Sequence, residues 1–436
     1  MSEYDAMIIG AGPAGSSAAI SLAQRGARVL VVEEKRMPRG KLCGEFITPE
    51  CFPSLERFGV MDRMLAAGAQ KLTRVSLITS SGKSVRTHIS TMSSDAPWAM
   101  SLSRARFDQI LFDRAREAGA ECVEGVAVKN CLFKDEHPSG VEALSLADGK
   151  QVSFKARLII DASGRNSRLM FAKRERIAGR RGSRLYALKA HLAGVEPTGD
   201  AVELFFFPQG YGGLARVEDD LVNLCFIVDE RTLKTAGGDP TRVIETSLMN
   251  NRLARERLRD ARVVGKWYSA GPLTFGRKRL ARDGIIAIGD ASGMIDPFTG
   301  TGIQIALRTG EIAADAVFDT MNTLGSTGSK LVDPSTGASL ERSLGRSMNL
   351  HPAITEVEPG NRPRSDSIVD AVLTRYSQSY EREFDNRMKT AGLLRVAAFS
   401  PLTAGVVARV FTRAPRLAGL IFRATRSGNR AGHAAD

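Results

Sequence analysis

Near the amino end of the chain, Gly10-Ala11-Gly12-Pro13-Ala14-Gly15 stands between an apolar run, Ala6-Met7-Ile8-Ile9, and an alanine-rich segment that reaches about Gln24. A second apolar run, Val29-Leu30-Val31-Val32, ends on Glu33, 18 positions beyond Gly15. Short apolar runs on either side of a glycine turn and an apolar helix predict a parallel βαβ unit. Within it Gly10 permits the tight turn, Gly12 lets the backbone approach a pyrophosphate, and Gly15 lets helix and strand pack closely. The helix that begins at Pro13 supplies unpaired N–H groups from Ala14 onward that favour an anion. Glu33 is then the acceptor for an adenosine ribose, with Glu34, one step further past the strand, the second choice. The strand before, the helix after and the distant acidic residue together separate this pattern from an ordinary glycine turn.

The 436-residue chain has room for more than one layer around a sizeable core, and 43% hydrophobic with 25% charged residues is the balance of an ordinary globular protein. Its formal charge of +13 suits a phosphate-rich ligand, an anionic membrane surface or nucleic acid. No nucleic-acid recognition motif accompanies that charge. The five cysteines, Cys43, Cys51, Cys122, Cys131 and Cys225, lack paired metal-ligand spacing, so neither a disulfide framework nor a metal site is expected. The first residues lead into a strand pattern without a basic segment, an apolar stretch and a cleavage site, which reads as cytoplasmic. No apolar window reaches about 18 residues free of charge, so no membrane span is expected.

A second helix is predicted over residues 107–118, ended by Gly119. Alternating runs around Val126-Ala127-Val128, Leu144-Ser145-Leu146 and Val152 predict an antiparallel meander with turns at Pro138-Ser139-Gly140 and Asp148-Gly149. Strand-like runs at 204–207 and 221–228 and one helix from 240 to about 258 predict a second, sheet-rich domain. The chain then reverts to a buried strand at 285–288 and a helix starting near Gly300. The expected fold class is therefore α/β, with a Rossmann-type doubly wound cofactor domain, discontinuous in sequence, over residues 1–75, 98–180 and 275–322. An antiparallel-sheet substrate domain takes residues 76–97 and 181–274, and C-terminal helices follow. Residues 323–367, rich in Gly, Ser, Pro and mixed charge, read as a flexible insertion. Residues 368–426 read as a helical region interrupted at Pro401 and Pro415.

Two further segments carry chemistry: Asp161-Ala162-Ser163-Gly164-Arg165-Asn166-Ser167 after an apolar run, and Gly289-Asp290-Ala291-Ser292-Gly293 continuing to Asp296-Pro297-Phe298-Thr299-Gly300-Thr301-Gly302-Ile303. Together with the first glycine motif they resemble the p-hydroxybenzoate hydroxylase and geranylgeranyl reductase superfamily of flavoproteins, over most of the chain. The resemblance implies FAD as cofactor, with Asp290 bonding a hydroxyl of the ribityl or pyrophosphate region and the turn from Asp161 to Gly164 near the pyrophosphate. A short carboxylate after a buried strand suits fixed hydroxyls, and Gly289 leaves room for the cofactor beside the backbone. A helix N-cap is the alternative role for Asp290. The helix opening at Gly300, Gly302 and Ile303 would lie beside the flavin and stabilise the negative charge of its reduced form. Arg104, in Ser103-Arg104-Ala105-Arg106-Phe107-Asp108, resembles the arginine that this superfamily sets ahead of its second helix to pair with FAD phosphate, with Arg106 as the nearby alternative.

The segment Pro38-Arg39-Gly40-Lys41-Leu42-Cys43-Gly44-Glu45 is similar to one that runs along the flavin in geranylgeranyl reductases and flavin-dependent halogenases. Cys43 is the candidate catalytic residue, as a proton donor or as a shaping contact. Two departures bear on the substrate. The Tyr-x-Trp-x-Phe-Pro segment of the reductases is replaced by Gly210-Tyr211-Gly212-Gly213, which leaves Tyr211 as the substrate-region candidate. The Trp-x-Trp-x-Ile-Pro signature of tryptophan-type halogenases is also absent, which argues against halogenation. The leading expectation is an FAD-dependent oxidoreductase, geranylgeranyl reductase-like, that reduces carbon–carbon double bonds of an apolar or lipid-like substrate with electrons from NAD(P)H. The alternative is an FAD-dependent monooxygenase hydroxylating an aromatic or polyketide-like substrate. A third class is a flavin-bearing membrane-surface protein without turnover, in which the arginine-studded residues 393–426 give peripheral membrane contact.

Overall fold

The computed structural model describes residues 4–93, 95–134, 137–167, 169, 184–196, 198–207, 209–325 and 365–399. In chain order, β1 (Tyr4–Ile9), α1 (Pro13–Ala23) and β2 (Val29–Glu33) form the opening unit, followed by the hairpin strands β3 (Arg74–Ile78) and β4 (Ser84–His88). Helix α2 (Arg104–Glu117) leads into β5 (Glu121–Glu124), β6 (Val126–Lys134), β7 (His137–Ser145) and β8 (Gln151–Asp161). Then come β9 (Leu185–Ala193), β10 (Ala201–Phe207), β11 (Gly210–Arg216), β12 (Val222–Asp229) and β13 (Arg262–Ala270). The short pair β14 (Ala281–Arg282) and β15 (Ile285–Ala287) precedes α3 (Gly302–Gly325), and α4 spans Ser365–Phe399.

The first sheet runs β14-β15-β8-β1-β2-β5, with β7 and β6 continuing as an antiparallel extension from β8. The pairs β15/β8, β8/β1, β1/β2 and β2/β5 are all parallel. Its strands are nearly continuous apolar runs because both faces are covered, which is how parallel sheets behave. One face packs on α1, α2, α3 and α4 through Ile8, Val31, Ile160, Leu307, Tyr376 and Phe384. The order reverses between β1 and β8, so a crevice opens at the carboxyl ends of these strands.

The second sheet runs β13-β9-β12-β11-β10-β3-β4 and is antiparallel except where β10 meets β3. Alternation along each strand splits it into two faces. Leu188, Leu224, Phe226 and Phe205 pack on the short helical turns between 230 and 258. Ala187, Ile227, Tyr211 and Val202 face the other way, with Phe298.

Several local expectations are corrected. The turn expected at Pro138-Ser139-Gly140 lies inside β7 as a register irregularity against β6, since Gly140 lets the strand bulge without a Cβ clash on Phe154. The helix expected from 240 to 258 is broken into Pro240–Thr246, a turn of 3-10 helix at Leu248–Asn250, and Arg252–Arg257. Asn251 breaks it by capping the last piece: its Oδ1 accepts from the N–H groups of Leu253 and Ala254. Helix α3 runs on to Gly325, while residues 326–364 of the expected insertion, Pro401, Pro415 and most of the 393–426 stretch lie outside the described residues. No described helix is long and apolar enough to cross a membrane.

Candidate FAD site

Three segments distant in sequence meet because they leave the carboxyl ends of three adjacent parallel strands: Gly10 after β1, Ala162 after β8 and Gly289 beyond β15. Around them lies a cavity of about 700 Å³ that continues beneath the inner face of the second sheet. Gly10 sits at φ +103, and a Cβ there would lie 2.7 Å from the carbonyl oxygen of Ala162. A Cβ on Gly15 would come within 1.8 Å of the Gly10 carbonyl, so this glycine is required for α1 to seat on its own turn. At Gly12 the added atom would meet nothing closer than the guanidiniums of Arg39 at 3.7 Å and Arg104 at 3.9 Å. The backbone there is open toward two cations.

Glu33 closes the turn from the end of β2. Its Oε2 accepts the N–H of Ala11 at 2.7 Å and is 3.3 Å from Arg39, while Oε1 accepts the N–H of Lys35 at 3.0 Å. Arg39 in turn reaches Asp108 on α2 at 3.1 Å, and Asp108 grips Arg104 through two bonds of 2.6 and 2.7 Å. The Arg104 to Asp108 spacing of i and i+4 places both on one helix face. Burial works against the Arg104 charge, but the Asp108 carboxylate outweighs it and holds the guanidinium firmly protonated. Lys41 projects to within 3.3 Å of a Cβ on Gly164; burial, then Arg104 and Arg39, lowers its pKa. Two guanidiniums thus face the Gly12 turn at the helix N-terminus and the Lys41 ammonium stands beside the Gly164 turn, a donor set that fits a diphosphate.

Residues 3–311 match the model of the family described as "FAD binding domain". The chain belongs to that family. It is similar to a 1H-pyrrole-2-carbonyl-[peptidyl-carrier protein] brominase of Pseudoalteromonas luteoviolacea, with 28% identity over 72% of this chain and 77% of that protein. It is also similar to digeranylgeranylglycerophospholipid reductase 2 of Methanopyrus kandleri, with 29% identity over 72% of this chain and 78% of the relative. Among solved structures, a flavin-dependent brominase superposes with a TM-score of 0.72 at 21% identity, covering 97% of this chain and 93% of that one. A geranylgeranyl bacteriochlorophyll reductase-like protein of Thermoplasma acidophilum gives 0.69 at 16% identity, covering 90% and 87%. The protein is an FAD-dependent enzyme of the oxidoreductase type.

Of the residues expected at the FAD site, Gly10, Gly12, Pro13, Ala14, Glu33, Arg104, Gly164, Gly289, Asp290, Gly300, Gly302 and Ile303 line the cavity. Gly15 acts behind the turn. Asp161 does too: its buried carboxylate accepts from Ser163 N–H at 2.9 Å and Ser163 Oγ at 2.6 Å and from the Ser167 hydroxyl, so it shapes the 162–167 turn. Burial raises its pKa despite those bonds. Asp290 caps no long helix; it sits in a single 3-10 turn, in the electrostatic company of Lys41, Arg165 and Lys278. Arg106 points away, to Glu218, Asp219 and the Ala67 carbonyl. Gly302 and Ile303 open α3 at the cavity, after Gly300 turns the chain at φ +71.

Cys43 lines the cavity where its cationic half meets the apolar half, with Arg104 acting electrostatically on its thiol. Tyr211 lines the apolar half, but its hydroxyl is committed: it donates to Asp296 at 2.5 Å and accepts the Phe298 N–H at 3.0 Å. The residues missed from the sequence are Arg39, Lys41, Asp108 and Cys225. The first two lay inside a segment already singled out, and Asp108 carried an i, i+4 signal. Cys225 reaches the site only through the pairing of β12 with β9 and β11.

Proposed function

We propose that this enzyme reduces carbon–carbon double bonds in an apolar, isoprenoid-like substrate, using electrons from NAD(P)H. The observation that supports this reading is the division of the cavity. Its FAD half holds Arg39, Lys41, Arg104, Arg165 and Asp290, whereas the half beneath the second sheet is walled by Val75, Met92, Val202, Leu204, Ile227 and Phe298. An apolar chamber excludes water and accepts an apolar chain.

FAD supplies the hydride when bound. Arg39, Lys41 and Arg104 would hold its diphosphate, and the N-terminal turn of α3 would supply N–H donors that favour negative charge on it. The sheet wall presents the alkene, and Cys43 Sγ at the border holds the proton that completes the saturated product.

The test is anaerobic reduction of the FAD-loaded protein by NADPH, with an isoprenoid lipid added before air. We expect the substrate to gain hydrogen pairs without oxygen or bromide, and reduced flavin left alone to reoxidise slowly when air enters. Product that forms only with oxygen would replace this reading with the monooxygenase. Product that forms only with oxygen and bromide together would favour the chemistry named for the brominase relative.

A further inference from the structure

Glu45 is a fully buried carboxylate on a backbone turned to φ +56, a conformation that a non-glycine residue adopts only when its surroundings hold it there. Its Oε1 pairs with Lys189 Nζ, itself buried, and accepts the Arg104 N–H at 2.8 Å; its Oε2 meets His191 Nε2 at 2.6 Å. Lys189 and His191 lie two residues apart on β9 and so share one face of the second sheet. Asn223 stands opposite His191 on β12, and Cys225 opposite Lys189. From that face Lys189 also donates to the Lys41 carbonyl at 3.2 Å, and Asn223 to the Cys43 carbonyl at 3.2 Å. The segment is seated so closely that a Cβ on Gly40 would fall 2.0 Å from the Tyr268 hydroxyl.

The thiol stands at the centre of this arrangement. The N–H of Glu45 donates to Cys43 Sγ at 3.3 Å, so the turn imposed by the Glu45 carboxylate is also what aims the sulfur. Burying a carboxylate and an ammonium is a poor route to stability, because desolvation offsets most of their attraction. Fixing one geometry is a better use of them.

We infer that Glu45, Lys189 and His191 are positioning residues that dock segment 38–45 onto the second sheet and thereby set the Cys43 thiol on the cavity wall. This holds whichever reaction the flavin supports. His191, whose side chain is 21% exposed, is the outer member, while Glu45 and Lys189 are the inner pair.

The experiment measures iodoacetamide alkylation of each cysteine by mass spectrometry in the folded, FAD-loaded protein. Glu45→Gln and Lys189→Met should raise the rate at Cys43 at least fivefold, with Cys122 and Cys131 changing less than twofold, and Lys189→Arg should recover most of the parent behaviour. A Cys43 rate within twofold of the parent in folded Glu45→Gln would overturn the inference. A rise shared equally by Cys122 and Cys131 would do so as well, since it reports general loosening. Should the inner variants fail to fold, His191→Asn carries the test: at least a threefold rise confined to Cys43 is expected, and an unchanged rate refutes the assignment.

Discussion

Lys41 stands where a single side chain would couple cofactor binding to pH. In the free protein its ammonium is opposed by burial and by two guanidiniums, which lowers its pKa. A diphosphate bound beside it supplies the missing anion and raises that pKa again, so binding takes up a proton. Below the lowered value the lysine is charged before and after binding, and affinity is full. As pH rises through it, binding must first restore the proton, and affinity falls. Fluorescence titration should therefore show FAD affinity declining for the parent as pH rises through the lowered Lys41 pKa, and staying flat for Lys41→Arg. Below that pKa, where the parent lysine is charged, Lys41→Met should lose about 1.5–3 kcal/mol, roughly ten- to a hundredfold in Kd. Equal affinities would remove Lys41 from the diphosphate site. The residue was visible within Arg39-Gly40-Lys41, but its neighbours were not, because Gly164 lies 123 positions away.

The loop ahead of α3 depends on the second sheet for its shape. Tyr211, on β11, packs edge-on to Phe298 with ring centroids 6.3 Å apart and holds Asp296 and the Phe298 N–H through its hydroxyl. That loop delivers Gly300 and Gly302 to the cavity, so a residue expected in the substrate region also holds the turn that opens α3. Tyr211→Phe should cost about 0.5–1.5 kcal/mol in urea unfolding, the usual net worth of a lost hydrogen bond, since Asp296 Oδ1 still accepts the Phe298 N–H at 3.0 Å. A loss below the error of the measurement would show that the hydroxyl is dispensable. The strand alternation that places Tyr211, Gly213 and Ala215 on the cavity face is legible in principle. The glycines of β11 weaken that pattern, since only tertiary neighbours explain them: a Cβ would fall 1.9 Å from the Ile227 carbonyl oxygen at Gly210 and 2.6 Å from Phe226 Cβ at Gly212.

On the scale of the whole molecule, FAD would bridge pieces of chain that no local contact joins, so its binding should stabilise the fold by mass action. At a free concentration 100 times Kd the gain is about 2.7 kcal/mol, read as a rise in Tm on adding FAD. Gly15→Val, whose Cβ would strike the Gly10 carbonyl, should show no such rise; a parent-sized rise would mean the turn is not the binding element. The amino-acid order alone determined the βαβ opening, the parallel sheet and its three glycine-bearing turns, because strand period, turn chemistry and helix propensity act over a few residues. It also marked Cys43 and Arg104 by resemblance. Only the tertiary structure decided that Asp161 supports its turn from behind while Asp290 faces the cavity, and that Glu45 meets Lys189 and His191. Those outcomes depend on which face of a distant strand each side chain shares, and that is settled by packing two sheets across the crevice.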